Sequence, residues 1–120
     1  GHTFGHALET ETGYSDALLH GEAVGIGMVL AAQLSARLGL CPPEDVERIR
    51  AHLTAAGLPT SPKAIRPQWN VDALLFHMQQ DKKAKDGMLT FVLLRGIGQA
   101  FLSNQVPQAE LRALMDEACS

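Results

Sequence analysis

The run from His20 to Leu38, HGEAVGIGMVLAAQLSARL, carries apolar residues on several faces of a helix, with Val24, Met28, Ala31, Ala32 and Leu38 spread around it. A helix that is apolar all round has to be enclosed, so the chain must supply packing partners on more than one side. That requirement predicts a bundle with 20–38 at its centre. Gly39 supplies the stop, because glycine takes the left-handed conformation at a helix C-terminus without steric cost.

The partners can be read from the rest of the chain. Pro42 and Pro43 suit the start of a helix, which runs through Val46, Ile49, Leu53 and Ala56 as an apolar stripe and ends near Gly57. Leu58 to Trp69 contains Pro59, Pro62 and Pro67 and reads as a connecting loop. A shorter helix is predicted from Asp72 to about Lys82, with Leu74, Leu75 and Met78 on its buried side. MLTFVLL, RGIG and QAFLS then place β-branched and aromatic residues on either side of a glycine turn, a hairpin signal. A last helix begins near Pro107 and packs through Leu111, Leu114 and Met115. The fold class is mainly α, a helical bundle with one C-terminal β-hairpin.

At 120 residues the chain has the length of one domain, and its formal net charge of −3 argues against a nucleic-acid surface. No apolar run approaches a membrane span and the opening lacks the blocks of a signal peptide, so the reading is cytoplasmic, with no membrane partner. Cys41 and Cys119 form no CxxC or paired framework and read as incidental thiols. No GxGxxG is present; Gly25 and Gly27 lie inside the apolar helix, without the strand and turn of a phosphate cradle, and read as sites of close helix packing.

The chemistry concentrates in the histidines. His2 and His6 are four apart, so on a helix they share a face about 6 Å apart along the axis. After Glu11 the run Thr-Gly-Tyr-Ser-Asp breaks the helical pattern, and His20 opens the central helix, which must turn back against the first. There the helix dipole favours a neutral imidazole, the form that binds metal. A catalytic zinc takes three protein ligands and keeps one open position. Spacing leaves the third ligand open: His6 is one choice, and Glu9, Asp16 and Glu22 are the local carboxylates.

GHTFGHALE, HGEAVGIGM, and MQQDKK followed by GMLTFVLLRGIGQA closely resemble, in order and along nearly the whole chain, the C-terminal part of the 3-dehydroquinate synthases. The resemblance implies that His2 and His20 are metal ligands, that His6 is a catalytic and substrate-binding residue working on protons or hydrogen bonds at the substrate, and that Lys82 contacts the acidic substrate. Lys83 and Lys85 are left as surface charges. It also implies a third ligand, a glutamate, upstream of Gly1. On this reading residues 1–120 are a metal- and substrate-binding helical domain, a partial sequence whose NAD-binding N-terminal domain is absent, and the complete enzyme is a homodimer.

The activity implied is conversion of 3-deoxy-D-arabino-heptulosonate 7-phosphate to 3-dehydroquinate and phosphate in the shikimate pathway, with NAD and a divalent metal, zinc or cobalt, as cofactors. The fragment alone is expected to be inactive. Two other readings stand beside it: a related sugar-phosphate cyclase of the inosose or valiolone synthase type, and a non-catalytic helical metal-binding module.

Overall fold

A computed structural model describes residues 2–12, 20–65, 69–84, 91–96, 99–103 and 106–119, with the backbone alone at 2, 20 and 81–84. In chain order the elements are α1 (His2–Glu11), α2 (His20–Arg37), α3 (Pro43–Ala55), a short 3-10 turn (Pro62–Ala64), α4 (Val71–Ala84), β1 (Phe91–Gly96), β2 (Gln99–Ser103) and α5 (Gln108–Cys119). This is the mainly helical bundle with a hairpin that the pattern predicts.

Helix α2 is the centre. It packs against α1, α3, α5 and β1, and Ala23, Ile26, Val29, Leu30, Ala31, Ala32 and Leu34 along it are buried. Met28 departs from expectation: it shares a face with Gly21 and Val24 that no described element covers, and 46% of it is exposed. An apolar surface on every side of a helix says that it is enclosed, not which of its faces is left open.

Local signals fix the helix ends. At the end of α2, Leu40 N–H donates to the Ser35 carbonyl and Gly39 N–H to the Ala36 carbonyl, with Gly39 at φ +75. The same paired bonds close α3, from Leu58 to Leu53 and from Gly57 to Thr54, with Gly57 at φ +80. Both are Schellman caps, and both need a residue tolerant of the left-handed region. Pro43 occupies the first turn of α3, where its missing N–H costs nothing. Asn70 caps α4 by accepting a 3.0 Å bond from Ala73 N–H.

The proline-rich connection holds more order than a plain loop. Pro62 is buried in the 3-10 turn, and Trp69 Nε1–H donates to its carbonyl at 2.7 Å. One indole thus fills core space and satisfies a backbone acceptor in a segment that has few backbone donors of its own.

The hairpin pairs Phe91 with Ser103, Val92 with Leu102, Leu93 with Phe101 and Leu94 with Ala100, and the ladder breaks step between Leu94 and Gly96. Phe91 and Leu93 face the core, where Phe91 meets Phe4 with ring centroids 5.2 Å apart. Ser35 ties the sheet to the central helix: its buried hydroxyl donates to the Ala31 carbonyl at 2.7 Å and accepts from Leu94 N–H at 2.8 Å. Ser35→Ala removes the acceptor and leaves that N–H without it, an expected loss of about 1–3 kcal/mol in urea unfolding. A change below a few tenths of that would show that water replaces the hydroxyl.

Cys41 and Cys119 are both buried and unbridged. Burial, then the charge of Asp116, pushes the Cys119 thiol up to about 11, with Lys63 opposing. Burial also raises Cys41. Neither is an activated nucleophile, which agrees with reading them as incidental. Arg37 reaches Glu110 and Glu117 on α5 at 3.1 and 3.0 Å, and Arg112 reaches Asp72 on α4 at 2.7 Å; these surface clasps add little stability but orient α5. Among the described residues no helix is long and apolar enough to cross a membrane.

Candidate active site

The four residues singled out in the sequence fall on three helices. His2 is the first residue of α1 and His6 lies one turn on; His20 is the first residue of α2; Lys82 lies in the last turn of α4. Helix α1 packs against both α2 and α4, so the helix with two of the histidines touches each of the other carriers. The His6 side chain is exposed, and its carbonyl accepts a 2.8 Å bond from the Thr10 hydroxyl one turn later. The side chains of His2, His20 and Lys82 lie outside the described residues, as does Asp16.

What draws α1 and α2 together is Gly5. A methyl group built there would stand 3.1 Å from the Ala23 carbonyl oxygen and 3.4 Å from its carbon. The obstacle is helix backbone, which cannot swing aside as a side chain can. Gly5 is three residues past His2, and Ala23 is three residues past His20. At 1.5 Å of rise per residue, each histidine therefore starts about 4.5 Å along its axis from this tight contact. The close packing expected at Gly25 is not found, since a methyl there would sit at an ordinary 3.8 Å from the Pro59 carbonyl. The signal for the true contact was the glycine inside the first histidine motif.

The geometry also bears on the third ligand. Glu9 and Glu22 are both partly buried, and both are engaged in interactions within the chain. Among the described residues no group of three or more histidine, cysteine or carboxylate side chains could hold a metal. Two imidazoles opening adjacent helices are nevertheless a donor set suited to zinc or cobalt, incomplete by one ligand.

A cavity of about 540 Å³ lies elsewhere, between α2, α3, α5 and the 3-10 turn. Its lining residues Gln33 and Arg37 are about 20 Å or more along α2 from His20. Arg37 and Arg50 there face Glu47, Glu110 and Glu117, so the cavity is no counterpart of the histidine site.

A contact between α1 and α4 has no signal in the local pattern. His77 Nε2 stands 3.8 Å from Glu11 Oε1, with the two side chains 23% and 20% exposed.

Known proteins match this chain closely. The family described as 3-dehydroquinate synthase C-terminal matches residues 1–84. The 3-dehydroquinate synthase of Rhodospirillum rubrum is 55% identical over 120 residues, covering 98% of this chain and 31% of that protein. Among solved structures, 2-epi-5-epi-valiolone synthase from Streptomyces hygroscopicus subsp. jinggangensis 5008, with NAD+ and Zn2+ bound, superposes with a TM-score of 0.78 at 31% identity, covering 96% of this chain and 31% of that one. A 2-deoxy-scyllo-inosose synthase complexed with carbaglucose-6-phosphate, NAD+ and Co2+ gives a TM-score of 0.74 at 26% identity, covering 98% and 33%. The chain thus spans about a third of the length of the relatives it matches.

Proposed function

For a chain that belongs to the 3-dehydroquinate synthase C-terminal family, we propose the role of metal- and substrate-binding helical domain in an enzyme that converts 3-deoxy-D-arabino-heptulosonate 7-phosphate to 3-dehydroquinate and phosphate. The observation that carries this is the contrast in identity: 55% to a synthase of that product, against 31% and 26% to cyclases of other sugar phosphates with the same backbone. Fold is shared by all three activities, so sequence at the site has to separate them.

His2 and His20 are the proposed metal ligands, with a carboxylate from the region preceding this chain as the third. A divalent metal held there supplies Lewis-acid polarisation of a substrate hydroxyl. His6, one turn from His2 and open to solvent, is the residue that holds or moves a proton at that hydroxyl. Lys82 meets the substrate's carboxylate or phosphate with a flexible ammonium. Among the described residues no Gly-rich turn joins a strand to a helix in a way that would cradle NAD, and we assign that cofactor, with most of the remaining substrate contacts, to the additional length of the relatives. We assign the working enzyme to the cytoplasm, as a homodimer.

The test is phosphate release from the heptulosonate phosphate by the enzyme with the preceding region, with NAD and metal each omitted and restored. Release that needs both and yields dehydroquinate is the expected outcome. A folded, metal-loaded enzyme that releases none, but turns over another sugar phosphate, would move the assignment to a sister cyclase. The 120-residue chain alone is expected to release no phosphate.

A further inference from the structure

The cavity of about 540 Å³ between α2, α3, α5 and the 3-10 turn has the volume of a small-molecule site. Val46 and Leu114 give it apolar lining, and Arg37, Arg50 and Lys63 bring three positive charges to it against the carboxylates of Glu47 and Glu117. The three cations are not equally satisfied. Arg37 is held by Glu110 at 3.1 Å and Glu117 at 3.0 Å, so its guanidinium and the Glu117 carboxylate are already matched.

Arg50 is not. Its Nε is buried without a hydrogen bond. The Glu47 carboxylate one turn earlier stands 3.7 Å from that nitrogen, too long for one, and the Glu47 side chain is 73% exposed. Buried polar atoms normally have a partner, because water no longer reaches them. Lys63, at the opposite wall in the 3-10 turn, makes no ion pair among the described residues. What this end of the cavity lacks is therefore an acceptor with negative charge, while donors are in surplus.

We propose that the cavity binds a small organic oxyanion, a carboxylate or a phosphate monoester, whose charged group is held by Arg50 and Lys63 and whose body packs on Val46 and Leu114. The Arg50 Nε–H and a terminal N–H of the same guanidinium present a fork that matches two oxygens of either group. Lys63 adds a mobile point charge. The loosely paired Glu47 gives way to the ligand and turns to solvent, where most of its side chain already lies. This site is separate from the histidines and does not depend on their roles.

Benzoate and phenyl phosphate are the probes, titrated into the complete enzyme with its leucine and valine methyls labelled for NMR. The Leu114 and Val46 methyls are expected to shift saturably with at least one probe, at a Kd of about 1 mM or below. Response to benzoate alone makes the ligand a carboxylate, and response to phenyl phosphate alone makes it a phosphate ester. Arg50→Gln is expected to weaken binding about tenfold, and Arg50→Lys, which keeps the charge but loses the Nε–H, nearly as much. Lys63→Ala should weaken it about threefold, and Glu47→Gln, which removes the competing carboxylate, should tighten it about as much. No saturable shift with either probe up to about 50 mM would overturn the proposal, as would a wild-type Kd in the Arg50→Gln and Lys63→Ala variants. Lys63 is exposed, so its variant decides the matter should the Arg50 variants fail to fold. The readout is a methyl in the cavity and not turnover, so an error in the assigned reaction leaves this test intact.

Discussion

His20→Ala in the complete enzyme is expected to lose bound zinc and turnover together. On the proposed assignment the site has two imidazoles from this chain, and removing one leaves too few ligands to retain the ion against solvent, so metal content should fall from about one per chain to near zero. With the Lewis acid gone, turnover should drop by at least about a thousandfold, roughly the several kcal/mol that such polarisation supplies. The fold should survive, because residue 20 is only the first of α2 and, among the described residues, burial in that helix begins at Ala23. Zinc analysis and circular dichroism on one sample check all of this. Wild-type zinc in the variant would strike His20 from the ligands, and lost helicity would make the activity uninformative.

Gly5→Val is expected to damage the same site from behind. The first added carbon already stands 3.1 Å from the Ala23 carbonyl oxygen, and the branched methyls extend further toward α2. Helix propensity favours almost any residue over glycine by up to about 1 kcal/mol, so an open position would gain stability. Here overpacking against backbone costs about 1–3 kcal/mol and wins. α1 must move away from α2 near the two histidines proposed as metal ligands, so zinc affinity should fall at least about tenfold while the imidazoles remain. Gly25→Ala is the control, since its methyl meets ordinary contacts. Zinc affinity unchanged by Gly5→Val would mean that this approach does not set the ligand spacing.

Features decided by a few adjacent residues could be read from the chain in advance. Gly39 and Gly57 stop their helices and Pro43 starts one through local backbone preferences, and the two strands form where β-branched and aromatic residues predicted them. Features decided across the fold could not. The turn at Pro62–Ala64 is held by an indole seven residues away, the exposure of Met28 depends on which neighbours are missing from one face, and the Glu11–His77 contact joins residues far apart in sequence. The candidate site divides the same way. His2 and His6 on one helical face follow from spacing, but the convergence of α1 and α2 rests on a close approach at Gly5 that composition does not announce. Roles for His6 and Lys82 came from likeness to a family, because a lysine-rich helix end is by itself an ordinary solvated one.

Helix α1 has ten residues, two of them glycine and histidine side by side in its middle. An isolated helix of that length is barely populated in water, since nucleation is costly and few bonds repay it. Its order is lent by α2 and α4, through Phe4, Ala7 and Leu8 in the core. The histidine of α1 proposed as a metal ligand would therefore gain a fixed address only after the bundle has closed around that helix. On the proposed assignment, folding would come first and metal capture second, the ion locking an arrangement that the bundle has already made.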